Sequence, residues 1–213
     1  GGAVVLSASH DNHPAELFVS AGDGEGSKAR RLTRSNADLE GRAFGQQRVV
    51  KYRTRDGLMV EGLLVLPIGY QEGTRYPLVI VAHGGPESHY SDGWLTTYSQ
   101  WGHLLAARGI MSWYPNYRSS TGYGVAFCKH DHGDPMGKEF DDHLDAIAHF
   151  DKLGMIDRSR VAIGGGSYGG YTAAWAATRE SKHFAAAVSF VPFVDMRTKW
   201  MTTDIPMEAM LLR

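Results

Sequence analysis

Short apolar bursts divide this chain, and the spacing within each burst predicts its element. Residues 76–82 form a continuous apolar run ending in a glycine turn, the pattern of a strand buried on both faces. Residues 110–115, 161–163 and 185–190 read the same way. Apolar positions at helical spacing predict helices over 94–108 and 138–153, and an Ala-rich helix is predicted from Tyr168 to about Arg179. Upstream, residues 47–54 and 58–66 flank Asp56-Gly57, a strong hairpin-turn signal. A hairpin followed by alternating strand and helix predicts an α/β domain, with a mostly parallel sheet covered by helices on both faces. Ligands of such sheets gather at the carboxyl ends of the strands, where His83 and Ser167 fall.

The first 34 residues carry a different pattern. Two short β-prone runs, 3–8 and 16–20, surround His10-Asp11-Asn12-His13-Pro14 and read as a hairpin. After a polar turn at 22–27, residues 29–34 supply one more short strand. A sheet this small does not fold alone. Residues 35–46 are polar and read as a linker with a short helical turn.

Composition narrows the function without redrawing the fold. With 213 residues, 43% of them hydrophobic and 21% charged, the chain can bury a substantial core as one domain plus an appendage. A net charge of -1 with both signs interspersed offers no basic face to nucleic acid or to an anionic membrane. No apolar run reaches the length of a membrane span, and the Gly1-Gly2 start lacks the layout of a signal peptide. The first residue is not Met, which suggests an interior or processed segment. The single cysteine, Cys128, excludes an internal disulfide and favours a cytosolic setting. It reads as a structural thiol, because no helix N-terminus or sharp turn is evident around it to activate it.

The residues that carry chemistry lie after two of the predicted strands. Gly165-x-Ser167-x-Gly169 has the spacing of a nucleophile elbow, between a buried strand and an Ala-rich helix. In a chain with 26 glycines the five letters alone are weak; strand, sharp turn and helix in that order give them weight. Such a turn pushes the Ser167 hydroxyl outward, and the N–H of Tyr168 points to where a negative oxygen would form. After the run at 76–82 comes His83-Gly84-Gly85-Pro86, a turn able to aim a second N–H donor, that of Gly85, at the same oxygen. His83 itself reads as a structural hydrogen-bonding residue rather than a base.

These segments resemble a known family. His83-Gly84-Gly85-Pro86, then Asn116-Tyr117-Arg118-Ser119-Ser120-Thr121-Gly122-Tyr123-Gly124, then Gly165-Gly166-Ser167-Tyr168-Gly169-Gly170-Tyr171 look like successive signatures of the prolyl oligopeptidase family of serine peptidases, most like its acylaminoacyl- and dipeptidyl-peptidase branch. The resemblance covers residues 47–213. It implies an α/β-hydrolase fold preceded by a β-propeller that limits access to short or unstructured peptides. Residues 1–34 would then be a remnant of that propeller, 35–46 a linker and 47–213 an incomplete hydrolase domain. It further implies that Ser167 is the catalytic nucleophile and that Gly85 and Tyr168 form the oxyanion hole. Two positions depart from the pattern: Ser119 stands where the family often has glycine, and Met136 where a small residue is usual. Arg118 and Tyr123 read as mainly structural.

A serine nucleophile needs a base and an orienting carboxylate, which follow it in this fold in the order acid, then histidine. His183, Asp195 and Asp204 lie after Ser167, but no histidine follows either aspartate. The expectation is therefore a truncated chain, inactive alone, with the acid and base beyond residue 213. A carboxylesterase of the same fold and a non-catalytic binding protein remain alternatives. Gly164-x-Gly166-x-x-Gly169 also fits a dinucleotide fingerprint, but several strands precede it and no acidic residue ends the next strand. His130-Asp131-His132 with Asp134 is a weak metal signal in a polar loop. No cofactor or metal is called for; the expected partners are short peptide substrates, with homo-oligomerisation of the full-length protein left open. Phe193, Trp200 and Asp204-Ile205-Pro206 are candidates to line a cleft, with core packing the simpler role for the aromatics.

Overall fold

A computed structural model describes residues 2–21, 28–97, 99–130 and 132–206. The turn expected at 22–27 and Asp131 of the histidine-rich loop lie outside these residues. In the N-terminal segment, β1 (Ala3–His10), β2 (His13–Ala21) and β3 (Arg30–Arg31) form an antiparallel sheet in that order. The first two strands are longer than the apolar runs alone suggest, since the ladder continues through polar residues to pair His10 with His13. Glu16 ties this sheet to the following segment by accepting bonds from Arg31 Nη2 (2.9 Å) and the Ser35 N–H (2.8 Å). The linker then makes one short 3-10 turn at Ala37–Leu39.

The larger sheet has six strands. β4 (Gln47–Arg53) and β5 (Met59–Val65) form the expected antiparallel hairpin, and β5 pairs antiparallel with β7 (Met111–Asn116). β6 (Tyr76–Ala82) lies between β7 and β8 (Ile156–Gly166), parallel to both, and β9 (Ala186–Phe190) runs parallel to β8. The order is β4-β5-β7-β6-β8-β9, mostly parallel with an antiparallel hairpin at one side. Alternation along β5 sends Leu63 and Val65 to one face and Leu64 to the other, so both faces carry a core. On the first, Val81, Tyr114, Leu95 and Ala106 join them; on the second, Leu78, Ile80, Trp113 and Ile163 pack with Phe140, Ile147 and Phe150 of α3 (Lys138–Lys152). Each large apolar side chain buried this fully stabilises the fold by roughly 1.5–3 kcal/mol. None of the described helices is long and apolar enough to cross a membrane.

Two predicted elements differ. The helix expected over 94–108 is reduced to α1 (Gly102–Ala106). Trp94 stacks on His103 at 4.6 Å and meets the Phe44 ring edge-on at 5.3 Å, so aromatic packing satisfies the apolar spacing, and the Gln100 N–H donates to Thr97 O at 2.9 Å. β8 does not stop at Ile163; its ladder continues through Gly164, Gly165 and Gly166 to the residue before the serine. A four-residue helix, α2 (Val125–Cys128), also forms where none was expected, with half-buried Cys128 at its C-terminal end.

Candidate active site

β8 delivers Ser167 directly into α4 (Tyr168–Thr178), with no loop between them. The price is a backbone at φ 59°, ψ -120°, a conformation that costs a non-glycine residue about 1–3 kcal/mol. Hydrogen bonds from the Ser167 N–H to Phe190 O (3.1 Å) and from the Tyr171 N–H to Ser167 O (3.0 Å) hold that geometry. The flanking glycines follow from packing rather than from φ. A Cβ on Gly165 or Gly169 would run into the Ala82 carbonyl at the end of β6, and one on Gly170 would lie 2.6 Å from Phe190 O.

The turn after β6 lies over the serine. A Cβ on Gly84 would sit 3.1 Å from Ser167 Cβ and 3.6 Å from its Oγ, so bare backbone is what permits this approach. His83 Nδ1 donates to the Gly84 carbonyl at 2.8 Å. In a trans peptide the C=O and the next N–H point opposite ways, so this bond turns the Gly85 N–H away from the His83 ring. Gly85 takes φ 122°, open to glycine and strained for other residues. Gly84, Gly85 and Ser167 share a cleft of about 380 Å³ with Ser88, His89, Tyr90 and Gln100. Tyr168, the other expected oxyanion residue, is the first residue of α4, where helix geometry directs backbone N–H groups toward the preceding turn.

Behind the cleft lies a buried polar layer. The His83 ring stacks on Tyr117 at 4.2 Å, its Nε2 is 2.8 Å from Ser120 Oγ, and the Tyr117 hydroxyl donates to the His83 carbonyl at 2.8 Å. Burial lowers the His83 pKa to about 4, so the ring is neutral at pH 7. Nδ1 donates to the Gly84 carbonyl and the Ser120 hydroxyl donates to the Tyr117 carbonyl at 2.6 Å, so the ring is held in a buried packing position as the structural element the sequence suggested. The His143 ring lies 5.0 Å from the Tyr117 ring; burial takes its pKa down to about 3.

Arg118 is anchored in the same region. Its guanidinium reaches Asp142 at 2.6 Å and Asp56 at 2.8 Å, and its backbone N–H also donates to Asp142. Burial opposes its charge, but the hydrogen bonds it donates to both carboxylates outweigh that and hold it protonated. One cation thereby joins the β4–β5 hairpin turn, the loop after β7 and α3. Tyr123 links β5 and β7 in a similar way, accepting from Asn116 Nδ2 and donating to Glu61. The two departures from the family pattern, Ser119 and Met136, have φ of 87° and 61°, which explains why glycine or a small residue suits those places. The Met136 N–H donates to Glu139 Oε1, which also accepts from the Tyr168 hydroxyl at 2.8 Å.

Glu139, Asp142 and His143 were not identified from the sequence. They share the buried face of α3 with Ala146, Ile147 and Phe150, at the same helical spacing. Ionisable residues on the stripe that apolar positions mark as buried were the available signal.

The other candidates are engaged elsewhere. His183 lies on a 3-10 turn (Ser181–His183), 3.5 Å from Glu180, and Asp195 caps α5 (Met196–Thr202) by accepting the Thr198 N–H at 2.7 Å. Among the described residues, Ser167 Oγ has no histidine hydrogen-bonded to it. Trp200 is exposed on α5, whereas Phe193 packs 4.9 Å from Tyr171 and also lines a cleft with Asp195 and Lys199. His132 pairs with Glu87 at 3.1 Å, and among the described residues no cluster of three metal-binding side chains occurs.

A serine on a strained strand-to-helix turn of a mostly parallel sheet, faced by a glycine turn from the neighbouring strand, defines an α/β-hydrolase. The chain belongs to the prolyl oligopeptidase family, which it matches over residues 96–212. It is 33% identical over 187 residues to the uncharacterized peptidase YuxL of Bacillus subtilis (strain 168), covering 87% of this chain and 27% of that protein. It is 35% identical over 167 residues to dipeptidyl aminopeptidase BIII of Pseudoxanthomonas mexicana, covering 76% of this chain and 24% of that one. In structure it matches an acylaminoacyl peptidase solved with Z-Gly-Gly-Phe-chloromethyl ketone, with a TM-score of 0.83 at 28% identity over 98% of this chain and 32% of that chain. The chain thus spans about a quarter of the length of these relatives. The dinucleotide reading of the glycine run falls with this assignment, since β8 is an inner strand of a hydrolase sheet and its glycines serve close packing.

Proposed function

We propose that these residues carry the nucleophile and oxyanion hole of a serine peptidase acting on short peptides. The carrying observation is Ser167 at φ 59°, between paired β8 and α4, beneath the Gly84-Gly85 turn in a shared cleft. Ser167 Oγ attacks the scissile carbonyl carbon, its proton passing to a base, and the carbonyl oxygen becomes an anion. The Gly85 and Tyr168 N–H groups hold that oxygen, each donor stabilising the transition state by about 3 kcal/mol. Collapse expels the amine as it takes a proton and leaves an acyl ester on Ser167, which water hydrolyses. The base and its carboxylate are not assigned to any described residue.

A peptide substrate class is supported by the named relatives, a dipeptidyl aminopeptidase and an acylaminoacyl peptidase crystallised with a peptidyl chloromethyl ketone. In this reading residues 1–34 belong to a β-propeller blade, 35–46 to a linker and 47–213 to the hydrolase domain. The antiparallel β1-β2-β3 sheet is the kind of unit from which blades are built. A cytosolic setting fits the single free cysteine. The test is fluorophosphonate labelling of the natural full-length protein. A covalent adduct is expected on Ser167 and none in Ser167→Ala; an adduct that survives in the variant would overturn the assignment.

A further inference from the structure

We infer that Glu139 is a positioning residue for the oxyanion hole, acting through the side chain of Tyr168. The inference rests on the reading of Ser167 and Tyr168 given above. Glu139 and Tyr168 are both buried, 1% and 0% exposed, and the Tyr168 hydroxyl donates to Glu139 Oε1 at 2.8 Å. A buried carboxylate is costly, and hydrogen bonds from outside its own helix offset that cost. The same oxygen accepts the N–H of Met136, at positive φ in the loop that enters α3. One carboxylate thereby fastens the start of α3 to the first residue of α4.

The functional consequence follows from where the tether ends. Tyr168 contributes a backbone N–H beside the nucleophile, and its other ends are tied down. The Tyr168 carbonyl accepts from Thr172 Oγ1 at 2.9 Å, and its ring packs against Tyr171 and Phe193. With hydroxyl, ring and carbonyl fixed, the first turn of α4 has little freedom to roll, and the direction of the N–H is set. The elbow needs such a restraint, because Ser167 holds a strained φ and the glycines around it provide no side-chain packing. An oxyanion donor works only when preorganised, and a displacement of an ångström at such a group costs on the order of 100-fold in rate.

The test compares Tyr168→Phe, Glu139→Gln and Glu139→Leu in the natural full-length protein, using a chromogenic peptide substrate and the rate of phosphonylation by a fluorophosphonate. Tyr168→Phe keeps the ring and the backbone N–H and removes only the tether. It should fold, lower kcat per titrated site by about tenfold or more, slow phosphonylation to match, and leave KM within about twofold. Glu139→Gln retains an acceptor oxygen and should stay within about threefold of wild type. Glu139→Leu, which also strands the Met136 N–H, should lower kcat at least as much as Tyr168→Phe, and the double variant should be no worse than Glu139→Leu alone, since both remove the Tyr168–Glu139 linkage. Wild-type kcat and phosphonylation in Tyr168→Phe, with the adduct still on Ser167, would overturn the positioning role while the nucleophile stood. Losses that multiply in the double variant would overturn it as well. Labelling of the wild type at a residue other than Ser167 would overturn both readings.

Discussion

Replacing Arg118 with methionine would strip the guanidinium from Asp142, whose side chain is fully buried. In the native protein Asp142 receives Arg118 Nε at 3.0 Å, Nη2 at 2.6 Å and the backbone N–H at 2.8 Å. Methionine matches the length of the stem, so the change leaves a buried carboxylate with the backbone donor and little else. Breaking a buried pair in this way costs about 3–5 kcal/mol, most of it the desolvated charge left behind. The contact to Asp56 adds little, because that carboxylate is 41% exposed and water can replace the guanidinium; Asp56→Asn should cost about 1 kcal/mol or less. For a unit of this size each kcal/mol shifts the midpoint by roughly 2–4 °C, so Arg118→Met should melt roughly 6–20 °C lower. Urea unfolding gives the free energy, and the paired variant Arg118→Met/Asp142→Leu should recover most of it by removing the stranded charge. A loss below about 1 kcal/mol in Arg118→Met, or an equal loss in Asp56→Asn, would refute the reasoning.

Two further outcomes are expected. Gly169→Ala should destabilise the fold by about 1–3 kcal/mol and slow labelling of Ser167, because its Cβ would overlap the Ala82 carbonyl that ends β6; wild-type stability and labelling would count against the packing account of the elbow glycines. Burial depresses the pKa of His143 to about 3 and of His83 to about 4, against about 6.5 in an unfolded chain, so the unfolded state binds more protons below that value. Their stability contribution is present above about pH 6.5 and is lost as pH falls toward 4 and 3. His143→Leu should therefore lose about 2–3 kcal/mol less than wild type between pH 7.5 and 4.5 in urea titrations, whereas an unchanged acid limb would show that His143 is not the group responsible.

Local pattern determined much of this protein. Continuous apolar runs specify strands because a strand buried on both faces has no polar side to display, and this placed the cores of β6, β7, β8 and β9 within a few residues. The sharp turn at Ser167 was equally legible, since glycines on both sides of a serine between a strand and a helix mark a close-packed reversal, and the glycine turn after β6 marked the segment that faces it. The order of three signatures carried the family.

Where distant segments meet was decided by tertiary structure. The apolar spacing of 94–108 looks helical, but stacking of Trp94 on His103 and its contact with Phe44 satisfied it in another way. Glycines 164–166 read as the start of a turn, yet they extend β8, because backbone pairing needs no side chain and the sheet neighbours lie at hand. Arg118 could be suspected as structural, but its partners Asp56 and Asp142 are 62 and 24 residues away, a pairing only the folded chain reveals. Glu139 remained hidden for the same reason: a carboxylate on a helix is ordinarily solvated, and it becomes a tether only when α4 brings the Tyr168 hydroxyl to it.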